Sequence, residues 1–147
     1  MRYSNTLLKR YLSVHLPHEE IIQAITLKSC EVEEWTMREI PELVVLGKII
    51  EIGRHPDADK LFVCKLDCGK AGIFQICTGG ENALLDAYVA VALPGCHLPA
   101  INLSIAPRMM RGLESNGMIC SKNELGIPED TDQHWIWILQ YPATHVL

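Results

Sequence analysis

Hydrophobic positions follow two different periods along this 147-residue chain, and the change falls near residue 42. Before it, Leu7, Leu8, Tyr11 and Leu12 recur at helical spacing behind Ser4, a residue suited to an N-cap. Ile21, Ile22 and Ile25, with Leu27 at the margin, predict a second helix. It opens at Pro17, which fits a first helical turn, and Glu19 and Glu20 complement the helix dipole. Val32, Trp35 and Met37 read as extended, and Ile40-Pro41-Glu42 as a connector. Two helices of this size bury little by themselves, so they are expected to pack on the segment beyond residue 42.

From Leu43 the helical period gives way to short apolar runs broken by turn residues. Leu43–Ile52 predicts a first strand, with Gly47 as a candidate bulge or bend. Arg54-His55-Pro56-Asp57-Ala58-Asp59 is a turn by composition. Leu61–Asp67 and Ile73–Cys77 read as the second and third strands, and Thr78–Asn82 breaks the ladder. Tyr88–Leu93 supplies a fourth strand, ended by Pro94-Gly95, and Met118-Ile119-Cys120 begins a fifth. Asp132–Ile138 forms a strand-like tail whose Trp135 and Trp137 share one face, suited to covering apolar surface. The fold class expected is α+β, mainly β. A small helical domain over residues 1–41 precedes a five-stranded OB-type Greek-key barrel, with its tail, over residues 42–147.

Composition narrows the function classes. Hydrophobic residues make up 48% and charged residues 21%, the balance of an ordinary globular protein. No apolar run reaches the roughly 18 residues that span a bilayer, and the N-terminus is not an apolar signal segment. A cytoplasmic protein with no membrane partner is expected. The net charge of −5 opposes a strongly basic surface, but its distribution is uneven. Residues 1–41 carry −1, residues 42–127 carry −1, and the last twenty carry −3. Arg108, Arg111 and Lys122 have only Glu114 and Glu124 as nearby acids in sequence. Weak, salt-sensitive polyanion binding fits this balance better than tight binding.

Motifs for catalysis or metals are missing. The six cysteines form no Cys-x-x-Cys pair, and no histidine pair has zinc-finger spacing. Cys64 and Cys68 share one strand face, and the cysteines read as small buried hydrophobes in a reducing compartment. There is no Gly-x-Ser-x-Gly, no His-Glu-x-x-His and no P-loop; Gly79-Gly80 lacks a following Lys-Ser/Thr and reads as a turn. Asp57 and Asp59 in a proline-containing turn suggest local Asx-type hydrogen bonds, with Lys60 as countercharge, more than an acid–base pair.

Candidate binding chemistry concentrates between Arg108 and Ser121, where two arginines precede a glycine-hinged turn and an apolar strand. Arg108 and Arg111 offer planar, multi-donor groups to phosphates. Lys48, Arg54, Lys60 and Lys122 would widen that field. Asn82 and Ser115 can hydrogen-bond sugar or base edges, and Gly112 and Gly117 allow close backbone approach. Met109, Met110 and Met118 read as packing.

Lys48–Ile52, His55-Pro56-Asp57-Ala58-Asp59-Lys60-Leu61, Arg111-Gly112, Ser115–Ser121 and Glu124-Leu125-Gly126-Ile127 resemble, in that order, the tRNA-binding OB domain family. That family includes EMAP-II-like modules, small bacterial tRNA-binding proteins and a domain of bacterial phenylalanyl-tRNA synthetase β subunits. Leu7–Leu12, Ile25-Thr26-Leu27 and Glu31-Val32-Glu33 resemble the opening domain of that β subunit. The chain departs from the pattern in three places. Gly79-Gly80-Glu81-Asn82 stands where Gly-Ala-Pro-Asn is common, Met109-Met110-Arg111-Gly112 where Lys-Leu-Arg-Gly is common, and Cys30 where a glycine is expected.

The resemblance implies a parent enzyme that joins phenylalanine to its tRNA with ATP and Mg²⁺, in an assembly with a catalytic α subunit. This segment would add auxiliary tRNA contact or subunit architecture, with no catalytic residue and no cofactor of its own. The chain is then an excised N-terminal part or a short stand-alone relative. Two other readings stay open: a homodimeric stand-alone tRNA-binding protein, and a structural domain without RNA contact.

Overall fold

The computed structural model describes residues 11–13, 15–35, 39–128 and 135–139. The chain divides into two compact units, Met1–Met37 and Arg38–Leu147. In the first, helix α1 spans His18–Lys28, with Glu19 and Glu20 in its first turn and Lys28 in its last. All three charges complement the helix dipole. Ile21, Ile22 and Ile25 form its less exposed stripe, while Leu27 is 82% exposed and lies off that face. The helix closes where Ser29 and Cys30 N–H groups both donate to the Ile25 carbonyl. The first expected helix lies largely outside the described residues, as does Met37; residues 30–35 carry no regular element.

The second unit is mainly β and antiparallel. Its strands are β1 (Val44–His55), β2 (Ala58–Asp67), β3 (Ile73–Thr78), β4 (Tyr88–Ala92), β5 (His97–Leu98), β6 (Leu103–Ser104), β7 (Arg108–Met110), β8 (Leu113–Ser115), β9 (Met118–Ile119) and β10 (Ile138–Leu139). The main sheet has the order β10-β4-β1-β2-β3, and β9 also pairs with β4. Two small hairpins, β5–β6 and β7–β8, stand apart from that path. The third strand is tied to β8 and to the residue after it as well. Asn116 N–H donates to the Gln75 carbonyl at 2.8 Å, and the Gln75 side chain donates to the Glu114 carbonyl at 2.9 Å.

Strand β4 is the centre of the unit. Val89 and Val91 point into one apolar cluster with Ile49, Cys64, Leu66, Ile76 and Ile119. Ala90 and Ala92 point the other way, into a second cluster with Cys96, Leu98, Ile105, Cys120 and Leu125. Burial on both faces explains why Val89-Ala90-Val91-Ala92 is an unbroken apolar run, with no polar alternate. Trp137 packs at the margin of the second cluster and its backbone N–H donates to the Cys120 carbonyl. Trp135, expected to share that covering role, is 47% exposed.

Several sequence expectations shift at the level of single residues. The break between β1 and β2 shrinks to Pro56-Asp57, because His55 pairs with Ala58. Gly47 is not the bulge: it pairs in register with Val89, and the extra residue is Ile50, between Ile49↔Leu66 and Glu51↔Lys65. What Gly47 provides is room, since a Cβ there would stand 2.7 Å from Val91 Cγ2. The β5–β6 hairpin has no strand-length apolar run and gives no signal in the sequence. The start of the expected tail, residues 132–134, lies outside the described residues.

Five of the six cysteines are buried and all six are free; Cys30 is exposed. Burial pushes the thiols of Cys64 and Cys68 up from 9.0 to about 11, and that of Cys120 to about 12. Unfolded, these thiols ionise near their ordinary value; folded, they keep their protons. Above about pH 9 the unfolded chain therefore binds fewer protons than the native one. Stability is expected to be whole below about pH 9 and to fall as pH climbs toward about 12, read as a dropping urea midpoint. A thiol reagent at neutral pH should modify Cys30 quickly and the five buried cysteines only in denaturant.

Candidate functional site

The β7–β8 hairpin is set by a two-residue loop, Arg111-Gly112, between Met110 and Leu113. Arg111 has φ +48° and Gly112 φ +89°, so both central residues are left-handed, as a type I′ turn requires. Glycine takes this conformation freely. For Arg111 it costs about 1–2 kcal/mol, so a strained residue sits at an exposed tip. Its guanidinium donates from Nη1 to the Asp57 carbonyl at 3.3 Å, bridging to the β1–β2 turn.

That turn is organised by His55, which by sequence alone reads as a loop residue. His55 is 4% exposed at the end of β1. The Asp57 N–H donates to its Nδ1 at 3.1 Å, and its Nε2 meets the Met110 carbonyl at 2.8 Å. The ring, and not Asx-type bonds from Asp57 and Asp59, holds the turn. Arg54 lies in the same hairpin: its Nη1 donates to the Asp59 carbonyl at 3.3 Å, and its guanidinium sits 5.6 Å from the centre of the Phe62 ring. Two guanidinium groups are thus anchored on carbonyls at the tip of one hairpin. Lys60 is exposed on β2 beside it, and Arg108 is exposed on β7. A hollow of about 120 Å³ opens next to Arg108, lined by Leu103, Ser104, Pro107 and Met118 among others.

The remaining expected binding residues are placed elsewhere. Lys48, half-buried on β1, forms an ion pair with Asp86 at 3.0 Å and lies 6.0 Å from the Tyr88 ring centre. The hydrogen bond and then the charge of Asp86 raise its pKa. Asn82 clamps one backbone unit: its Nδ2 donates to the Ile136 carbonyl and its Oδ1 accepts from the Ile136 N–H, both at 2.9 Å. Lys122 leads into a short 3₁₀ turn, Asn123–Leu125.

Ser115 is a correction. Expected to bond sugar or base edges, it is 1% exposed, and its Oγ accepts from the Cys77 N–H at 3.0 Å. Gly117 likewise serves packing and not a ligand: with φ +135°, it brings its Cα so close to Ala92 that a Cβ would stand 2.8 Å from that carbonyl oxygen. Glu124 is held in a local cap. Its carboxylate accepts from the Ser121 N–H at 2.6 Å and the Ser121 hydroxyl at 3.0 Å, while the Glu124 N–H donates back to Ser121 Oγ. This reciprocal capping explains the Ser121–Glu124 spacing. The Gly79-Gly80 turn offers no nucleotide cradle, since Ile136 Cγ2 lies 2.6 Å from where a Gly80 Cβ would stand.

Against this geometry, the comparisons with known proteins define the class. Residues 44–144 match the family described as "Putative tRNA binding domain". The chain belongs to this tRNA-binding domain family. It is also similar to the phenylalanine–tRNA ligase beta subunit of Trichormus variabilis, 40% identical over 138 residues, covering 93% of this chain and 17% of that one. The corresponding subunit of Synechococcus sp. (strain JA-3-3Ab) is 46% identical over 128 residues, covering 86% of this chain and 16% of the relative. The chain thus spans roughly a sixth of the length of these curated relatives. Among solved structures, the C-terminal domain of Plasmodium vivax p43 is similar with TM-score 0.48 at 25% identity, covering 73% of this chain and 58% of that one.

Ser115→Ala would leave the buried Cys77 N–H without an acceptor. A loss of about 1–3 kcal/mol of unfolding free energy is expected in urea titration. The folded fraction should bind polyanions unchanged, as measured by tRNA titration at a temperature well below the transition.

Proposed function

We propose that this chain is the N-terminal tRNA-binding and architectural module of a phenylalanine–tRNA ligase β subunit. The observation that carries the reading is the family match over residues 44–144, which falls on a unit with exposed Arg54, Lys60, Arg108 and Arg111. Similarity to the ligase β subunits over about nine-tenths of the chain supports the parent enzyme. In this reading the sheet closes as a five-strand OB-type barrel of β1, β2, β3, β9 and β4. The bonds from β3 to the Glu114–Asn116 segment, and the pairing of β9 on β4, support closure. Residues 1–41, with helix α1 over His18–Lys28, are read as its opening domain.

The parent enzyme works in the cytoplasm, with a catalytic α subunit, and charges tRNA with phenylalanine using ATP and Mg²⁺. None of that chemistry is assigned to this chain. Its share is weak, salt-sensitive contact with the tRNA backbone. Guanidinium groups fixed at hairpin tips suit this task, because phosphate contacts position a partner without reading sequence. A second reading, a structural domain without RNA contact, is favoured by the net charge of −5 and by the ion pair that occupies Lys48.

Titration of tRNA across a salt series separates the two. Binding through phosphates gives affinity that falls linearly on log–log axes. Arg108→Ala and Arg111→Ala should each weaken binding and flatten that slope by about 0.7–0.9 for every phosphate no longer neutralised. Salt-independent binding, or none, would select the structural reading. A stable homodimer at micromolar concentration would favour a stand-alone tRNA-binding protein instead.

A further inference from the structure

We infer that His55 is a positioning residue: its buried ring straps the β1–β2 turn to the β7–β8 hairpin and so fixes where Arg111 is presented to an RNA phosphate. The inference rests on the tRNA-binding reading and deepens it.

The bonding pattern assigns the ring's tautomer. Asp57 N–H donates to Nδ1, so that nitrogen carries no hydrogen. The hydrogen is on Nε2, which donates to the Met110 carbonyl at 2.8 Å. Met110 immediately precedes Arg111, and Asp57, whose carbonyl accepts from Arg111 Nη1, is the residue bonded to the other ring nitrogen. Two hydrogen bonds therefore cross in opposite directions between the same two hairpin tips. They are not equivalent. The Arg111 bond is exposed, so water competes for both its partners. The His55 bond comes from a ring that is 4% exposed, where an unmade donor is expensive.

The consequence is mechanical. β7–β8 lies outside the main sheet, so its tip needs a tether to hold a defined place. Residue 55 supplies that tether across 55 positions of sequence. A guanidinium already confined near the Asp57 carbonyl loses less freedom when a phosphate arrives.

Side-chain isosteres test this in the full chain, with unfractionated tRNA as the probe. His55→Asn places an amide oxygen near the Nδ1 position, keeping the Asp57 bond and cutting the strap to Met110. His55→Gln places an amide N–H near the Nε2 position and keeps the strap. His55→Asn should weaken tRNA binding by about fivefold, the scale of one exposed charge contact. It should show no further loss when combined with Arg111→Ala, yet remain additive with Arg108→Ala. His55→Gln should recover most of the affinity. Full additivity of His55→Asn with Arg111→Ala, or unchanged affinity in a folded His55→Asn chain, would overturn the inference.

A readout without RNA keeps it separate from the functional reading. The ¹⁵N heteronuclear NOE of Arg111 Nε should fall in His55→Asn and stay at its starting value in Ser115→Ala, which is destabilised elsewhere. Equal Arg111 order in both variants would refute the positioning role. A fall in Arg111 order in His55→Asn, with no tRNA binding by the unaltered chain, would leave the strap standing and remove the proposed function.

Discussion

Strand β4 is buried on both faces, and a strand so placed must have its backbone groups paired along both edges. One edge is satisfied by β1, from Val44↔Ala92 to Lys48↔Tyr88. The other has no neighbour in nearby sequence. It is satisfied by β9 at Val91 and Ala92, by Cys120 N–H on the Ala90 carbonyl, and by β10 at Tyr88 and Val89. That demand draws residues 118–120 and 137–139 back across the unit. Everything between β4 and β9 must then leave and return, which is why the β5–β6 and β7–β8 hairpins lie outside the main sheet.

The return path also explains the short motifs. Ser115 caps a backbone donor of β3, Gly117 lets the chain pass close against Ala92, and Ile119 and Cys120 fill the two clusters on either side of β4. Ser121 and Glu124 then close a tight turn that buries Leu125. A run that reads as recognition chemistry is therefore mostly scaffold. Exposed cations include Arg54 and Lys60 on one hairpin and Arg108 and Arg111 on another, with Arg111 at the turn itself. Arg111 takes a left-handed turn position that a glycine would fill at lower cost, and its guanidinium bridges to the Asp57 carbonyl.

Electrostatics follow the same logic. Asp86 holds Lys48, Glu51 holds Lys65 at 2.9 Å, and Glu124 is spent on a cap. Exposed ion pairs of this kind contribute little to stability. Their effect is to withdraw some charges from a partner while leaving others displayed. A formal sum over residues 42–127 cannot register this, because it counts a paired lysine and a displayed arginine alike.

The four long strands were legible because each is a run of apolar residues with its own turn signals, and a pleated backbone translates such runs directly. The helix over His18–Lys28 was legible for the same local reason, through Pro17, the two glutamates and the isoleucine stripe. The roles of Gly47, Ser115 and His55 were not. They depend on Val91, Cys77 and Met110, residues 38 or more positions away, and no local pattern encodes such a pairing. The amino-acid order by itself determined which segments extend, where they turn, and the motif that marks the family. Tertiary structure alone decided which polar side chains are consumed inside and which cations reach solvent, because burial and pairing belong to neighbours in space and not in the chain.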